Sequence, residues 1–197
     1  MSTDALGPTP RAASGEEPSD GRERASAGLR FAAALELVGG SCHHVADPAA
    51  AREVVAGLCG DGAVVADRDA LVGEVAGGLR TVGDPWAADV GLTTALAAVA
   101  ETGSLAMVYG RDRPRSNSLV PPVHIAVVPA SRLVDSYADA IDRLAAVRPV
   151  PSGMQLITGP SSSGDIEMVQ VRGMHGPLAV HVVLVAVRWP CSRRDQG

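Results

Sequence analysis

Behind a polar N-terminal stretch, apolar residues fall into two rhythms that alternate along the chain. Leu29, Ala33 and Leu37 recur at helical spacing, and Gly39-Gly40 ends that run. The short stretch Cys42–Ala46 reads as a strand. Asp47-Pro48 then opens a helix that runs to Leu58, with Asp47 as N-cap and Pro48 in the first turn. Ala63–Ala66 reads as a buried strand and Ala70–Leu79 as a third helix. The second half repeats the rhythm with Asp89–Leu92 as a strand edge, Thr94–Ala100 as a short helix, and Ser104–Tyr109 and Val123–Val128 as strands. Ser131–Ala146 places Leu133, Val134, Tyr137, Ile141 and Leu144 on one side of a helix. A Pro/Gly linker, Arg148–Gly153, precedes Met154–Ile157, which with Val180–Val187 is expected to close the sheet. Short apolar strands alternating with helices predict βαβ units and a mostly parallel sheet, the α/β class.

One stretch breaks this pattern. In Ile157–Pro177, ITGPSSSGDIEMVQVRGMHGP, glycine, proline, hydroxyls, carboxylates and a histidine crowd between two apolar segments. The spacing predicts strand, polar turn, a short amphipathic helix over Asp165–Val171, a second polar turn, and strand. Ligands of open α/β sheets sit at such strand-to-helix turns. Ser161, Ser162 and Ser163 follow Gly159-Pro160 without a G-x-S-x-G elbow, so they read as turn and cap residues whose hydroxyls can also hold a ligand. Asp165 suits either contact with a ligand or a metal, or the first turn of a helix, where the dipole favours a negative charge. His175, beside Gly176-Pro177, is a loop histidine of the kind that lines sites. His124 and His181 lie in apolar strands and read as core residues with their hydrogen bonds satisfied.

Composition narrows the partners. The 197 residues suit one domain that buries roughly 70% of its unfolded surface. Residues 1–27 are too polar to order themselves, residues 28–190 form the expected domain, and 191–197 a polar tail. With 46% hydrophobic but only 3% aromatic residues, Ala, Val and Leu must build the core. A net charge of -5 and the scarcity of stacking rings argue against nucleic acid and anionic membranes. The chain contains no lysine, which excludes lysine Schiff-base chemistry and a P-loop lysine. Cys42, Cys59 and Cys191 form no CxxC pair, so no iron–sulfur or zinc motif is present. An odd cysteine count without a secretion signal points to the cytoplasm. Cys42-His43-His44 resembles a ligand cluster, but on a strand Cys42 and His44 share one side and His43 takes the other.

Three segments, read in order, carry a resemblance. They are Ala88-Asp89-Val90-Gly91 with Ala100-Glu101-Thr102-Gly103-Ser104-Leu105, then Leu119–Ile125 with Pro121-Pro122 before His124, then Thr158–Glu167 with Gly173–Pro177. Together they resemble the LUD domain, the lactate utilization protein C family, over roughly half of the chain. The resemblance implies a three-layer open sheet like that of the NagB, RpiA and CoA-transferase superfamily. It implies a role in oxidising L-lactate to pyruvate, with no redox cofactor in this chain and iron–sulfur clusters in partner oxidoreductase subunits. In CoA-transferase relatives a Glu at a comparable junction forms a covalent acyl intermediate, which nominates Glu101 as nucleophile or general base. The same residue also reads as a carboxylate that caps a turn or pairs with a nearby arginine. A second class of function is thus a stand-alone enzyme using Glu101 on a small anionic substrate, an acyl-CoA or a sugar phosphate.

The chain departs from the pattern where the family often carries a basic residue after the T-G-P-S serine; here that position is Ser162. An anion would then depend on Arg172, His175 or the Arg111–Arg115 loop. The expected cleft has Glu101, Thr102 and Gly103 on one wall and Gly159, Ser161, Ser163, Asp165, His175 and Gly176 on the other.

Overall fold

A computed structural model describes residues 21–164, 170–172 and 175–186. Five strands form its centre: β1 (Ser41–Val45), β2 (Val64–Ala66), β3 (Val90–Thr93), β6 (Val123–Pro129) and β11 (Ala179–Val185). Their order across the sheet is β1-β11-β6-β3-β2, parallel throughout. Side chains alternate across them, so β6 and β11 each feed two cores. Val90, Leu92, Ile125, Val127, Val183 and Val185 face two helices, α2 (Pro48–Cys59) and α3 (Ala70–Val75). Both helices start as their sequences dictate. Asp47 Oδ1 accepts from Ala50 N at 2.8 Å with Pro48 in the first turn, and Asp69 accepts from Leu71 N at 3.0 Å.

The opposite face carries Ala126, Val128, Val182 and Leu184. It is covered by α1 (Gly21–Leu37), through Phe31 and Leu35, and by a second sheet. That sheet comprises β4 (Ala97–Val99), β5 (Ser104–Tyr109), β7 (Leu133–Val134) and β8 (Gly153–Ile157), in the order β7-β4-β5-β8. Its own far face packs Ala97, Val99 and Ala106 against Ala140 and Leu144 of α5 (Tyr137–Ala145). The α/β class and the mostly parallel central sheet are as the sequence predicts.

Local readings differ in several places, and the third helix stops at Val75, short of Leu79. Helix α1 begins at Gly21, inside the stretch expected to be unordered; residues 1–20 lie outside the described residues. Thr94–Ala100 is not a helix: Ala97, Ala98 and Val99 form β4, each fully buried, and an apolar run buried on all sides carries no period to tell helix from strand. Ser131–Ala146 divides, because Leu133-Val134 pair in parallel with Ala98-Val99 and Ser136 starts α5 afresh. Ser136 and Asp139 there form a reciprocal capping box. Met154–Ile157 joins the second sheet, antiparallel to β5, and not the central one. The segment expected as a helix over Asp165–Val171 ends in a strand: β9 (Ser162–Gly164) pairs antiparallel with β10 (Gln170–Arg172).

Candidate functional site

Two of the chain's three motif segments meet where α1 ends, and the other ties in through Pro122. Ser104, 1% exposed, opens β5 and links two of them. Thr102 Oγ1 donates to Ser104 Oγ at 2.7 Å, and Ser104 Oγ shares a 2.6 Å hydrogen bond with Thr158 Oγ1. Gly103 and Gly159 flank this chain of hydroxyls. Both take a positive φ, +67° and +72°; Gly103 touches the last turn of α1 and Gly159 touches Val38, just past it. A Cβ at Gly103 would stand 2.4 Å from Leu35 N, and one at Gly159 2.7 Å from Val38 O. These glycines, expected as ligand contacts, let backbone meet backbone.

Between α1 and the loop lies an open cleft of about 460 Å³. Glu36, Leu37, Val38 and Gly39 line one side; Thr158, Pro160, Ser161 and Ser162 line the other. The loop is tied to the far end of the same motif, since Ser161 N donates to Pro177 O at 2.9 Å. A Cβ at Gly176 would stand 3.4 Å from Ser161 Cβ. The Leu-Pro step closes the circuit: Pro122 O accepts from Leu178 N at 2.8 Å. His175 is exposed at this junction. Ser163 pairs with Val171 in the β9–β10 hairpin, and Ser162 with Arg172. Asp165 and Glu167 lie outside the described residues. Among the described residues, the cleft therefore presents hydroxyls and one carboxylate, Glu36, beside the carbonyl end of a helix.

Glu101 takes a different position. It is exposed, and its Oε2 accepts from Tyr137 N at 2.9 Å. Tyr137 is the first residue of α5, so the carboxylate satisfies one of the amides a helix start leaves free. Glu101 N donates to Asp135 O, and Arg30 of α1 pairs with Asp135, which fixes the same corner.

A second polar cluster, missed by sequence reasoning, sits at the carboxyl ends of β2 and β3. Asp67, 5% exposed, follows β2 directly. Its Oδ1 accepts from Asn117 Nδ2 at 3.0 Å, and the backbone N–H of Thr94 also serves it. Burial pushes its carboxyl up to about 7, although Asn117, Thr94 and the nearby Arg113 charge pull the other way. Asn117 belongs to α4 (Arg115–Leu119), which lies so close to β3 that a Cβ at Gly91 would fall 1.8 Å from Asn117 O. The glycine of the A-D-V-G motif is thus a seat for α4. Beneath it, His124 is fully buried. Its Nε2 lies 2.8 Å from Thr93 Oγ1, and its Nδ1 has no partner among the described residues. Burial pushes its imidazole down to about 4, so the ring is neutral at pH 7. Tyr109 joins the cluster, its hydroxyl 3.2 Å from Ser118 Oγ and 3.3 Å from Gln155 Oε1. The only sequence signal for Asp67 is an Asp right after a short apolar strand, which any surface loop shares.

The Cys42-His43-His44 run alternates as strand geometry requires. Cys42 Sγ and His44 Nε2 are 3.7 Å apart on one side, while His43 turns to the other. Burial, with Glu36 adding to it, pushes the Cys42 thiol up to about 12, which disfavours the thiolate a metal needs. Among the described residues, no three His, Cys, Asp or Glu side chains gather as a metal site.

The LUD domain family model matches residues 86–185, which is 100 of the 197 residues. Lactate utilization protein C of Bacillus subtilis is 41% identical over 105 residues, covering 51% of this chain and 44% of its own length. The protein of that name from Exiguobacterium is 41% identical over 102 residues, covering 50% and 44%. That of Macrococcus caseolyticus is 35% identical over 121 residues, covering 59% and 52%. The chain spans about half the length of the curated relatives it matches. The crystal structure of a DUF162 family protein from Deinococcus radiodurans superposes with a TM-score of 0.64 at 22% identity, covering 83% of this chain and 98% of that one. It shares the fold. The family match spans the loop wall of the cleft and the seat of α4, and by it the chain belongs to the LUD domain family.

Proposed function

We propose that this chain serves L-lactate utilization, the oxidation of L-lactate to pyruvate, as a cytoplasmic subunit without a redox group of its own. The electrons would pass through iron–sulfur clusters in partner oxidoreductase subunits. The observation that carries this reading is the 41% identity, over about half of the chain, to relatives named for lactate utilization. Three features support a binding or assembly role over independent chemistry. The sequence contains neither CxxC nor G-x-G-x-x-G. Glu101 is held by a helix N-terminus. The motif residues Gly91, Gly103 and Gly159 serve close packing, and Gly159 lies in sequence between two residues that line the cleft, Thr158 and Pro160. No described helix is long and apolar enough to cross a membrane.

Two experiments test the reading together. The tagged full chain should co-purify with cluster-bearing subunits. Deleting its gene, in a strain with no other lactate dehydrogenase, should abolish growth on L-lactate while leaving growth on pyruvate intact. Normal growth on L-lactate in that strain would end the proposal.

A further inference from the structure

His43 and His181 belong to neither polar region above. They stand on adjacent parallel strands, β1 and β11, with Ser41 across from His181 and His43 across from Val183. Registered residues of a parallel pair share a face. Both imidazoles therefore project on the side where Val45, Val183 and Val185 meet the α2–α3 core. Both rings are partly buried. Their centroids are 5.6 Å apart with planes tilted by 36°. His43 Nε2 and His181 Nδ1 face each other at 3.4 Å.

That separation is long for a hydrogen bond, whose donor–acceptor distance is typically about 2.7–3.2 Å. It fits a shared metal better. Two imidazole nitrogens, each about 2.0–2.1 Å from one tetrahedral ion, stand about 3.3 Å apart. Each nitrogen offers its lone pair when the other nitrogen of its ring carries the proton, so neither ring has to ionise. Imidazole pairs select borderline ions such as zinc, nickel and copper over magnesium and calcium. Water can take the remaining positions, since no third ligand gathers among the described residues.

We propose that His43 and His181 form an open two-histidine site for a divalent transition ion of the zinc class, which clips the edge strand β1 to β11. Among the described residues β1 is the outer strand of the central sheet, and its strand neighbour is β11. An ion bound by both side chains is absent from the unfolded chain, so it stabilises the fold by mass action.

The test is thermal unfolding and titration calorimetry of the full chain with zinc chloride, with magnesium chloride as the control. Zinc is expected to raise Tm and to saturate with a single ion per chain, magnesium to leave Tm unchanged, and a chelator to reverse the rise. His43→Gln and His181→Gln should each abolish the zinc response while keeping a polar side chain. His44→Gln, on the opposite side of β1, should retain it. Cobalt supplies a readout independent of stability: its visible absorption bands should appear with the unaltered chain and vanish with His43→Gln. No response to zinc, or one that survives either His43→Gln or His181→Gln, would overturn the proposal.

Discussion

The two polar regions of this domain are built from opposite materials. Around the cleft, Thr102, Ser104 and Thr158 form a line of neutral hydroxyls that opens to solvent at Thr158. At the carboxyl ends of β2 and β3, a carboxylate, an amide and an imidazole are sealed beneath α4. The first region joins segments distant in sequence without placing a charge in the interior. The second places a titratable group where its charge is opposed by burial. The cleft should therefore tolerate pH change and respond to shape, whereas the sealed cluster should respond to pH. Substitutions can break that contrast.

The largest effect is expected at Gly103, where shape is the whole argument. A valine there meets Leu35 backbone at under 3 Å in a left-handed conformation. Strain and overpacking together should cost roughly 2–6 kcal/mol, enough to unfold a marginal domain. Chemical denaturation of Gly103→Val measures it. A stable variant would mean that α1 does not press on this turn.

Asp67 is next, and here the sign depends on pH. Its folded value is raised from 3.8 to about 7. The stability it contributes is thus fully present below about pH 4 and lost as the pH rises through 7. Asp67→Asn removes the charge but keeps an acceptor for Asn117. The variant should match the parent near pH 4 and exceed it at pH 8 by up to about 4 kcal/mol, because each tenfold change in proton affinity on folding is worth roughly 1.4 kcal/mol. Unfolding curves at the two pH values decide this. An equal difference at both would show that Asp67 is solvated. The same experiment on Ser104→Ala should give a pH-independent loss of about 1 kcal/mol, the usual contribution of a hydrogen bond.

How far the sequence reveals these regions follows from the range of the interactions. Turn chemistry is local, so the cap at Asp47, the T-G-P-S loop and the H-G-P loop are all legible from neighbouring residues. Local patterns also give the alternation that predicts a parallel sheet. They fail at β4, where uniform burial erases the period, and at Leu133-Val134, whose strand character comes from Ala98-Val99 and not from their own neighbours. They fail again wherever two elements must already be adjacent. Asn117 reaches Asp67 across fifty positions, and His43 meets His181 across 138. The motif glycines are legible as special, but only the approach of α1 and α4 shows that packing is their reason.

The smallest expected effect bears on the double reading of Glu101. Its carboxylate accepts from Tyr137 N at the start of α5, at an exposed position. A glutamine there keeps the acceptor and loses only the attraction between a negative charge and the helix start, roughly 0.3–1 kcal/mol. If capping is its task, Glu101→Gln should lower Tm slightly and leave growth on L-lactate unchanged. Glu101→Ala should lower Tm further, by removing the acceptor as well. A reactive carboxylate predicts the reverse ranking between stability and function: Glu101→Gln would fold as well as the parent yet fail to support growth, because an amide oxygen cannot serve as nucleophile or base at that junction. The two variants together therefore separate a carboxylate that shapes the corner between β4 and α5 from one that reacts there.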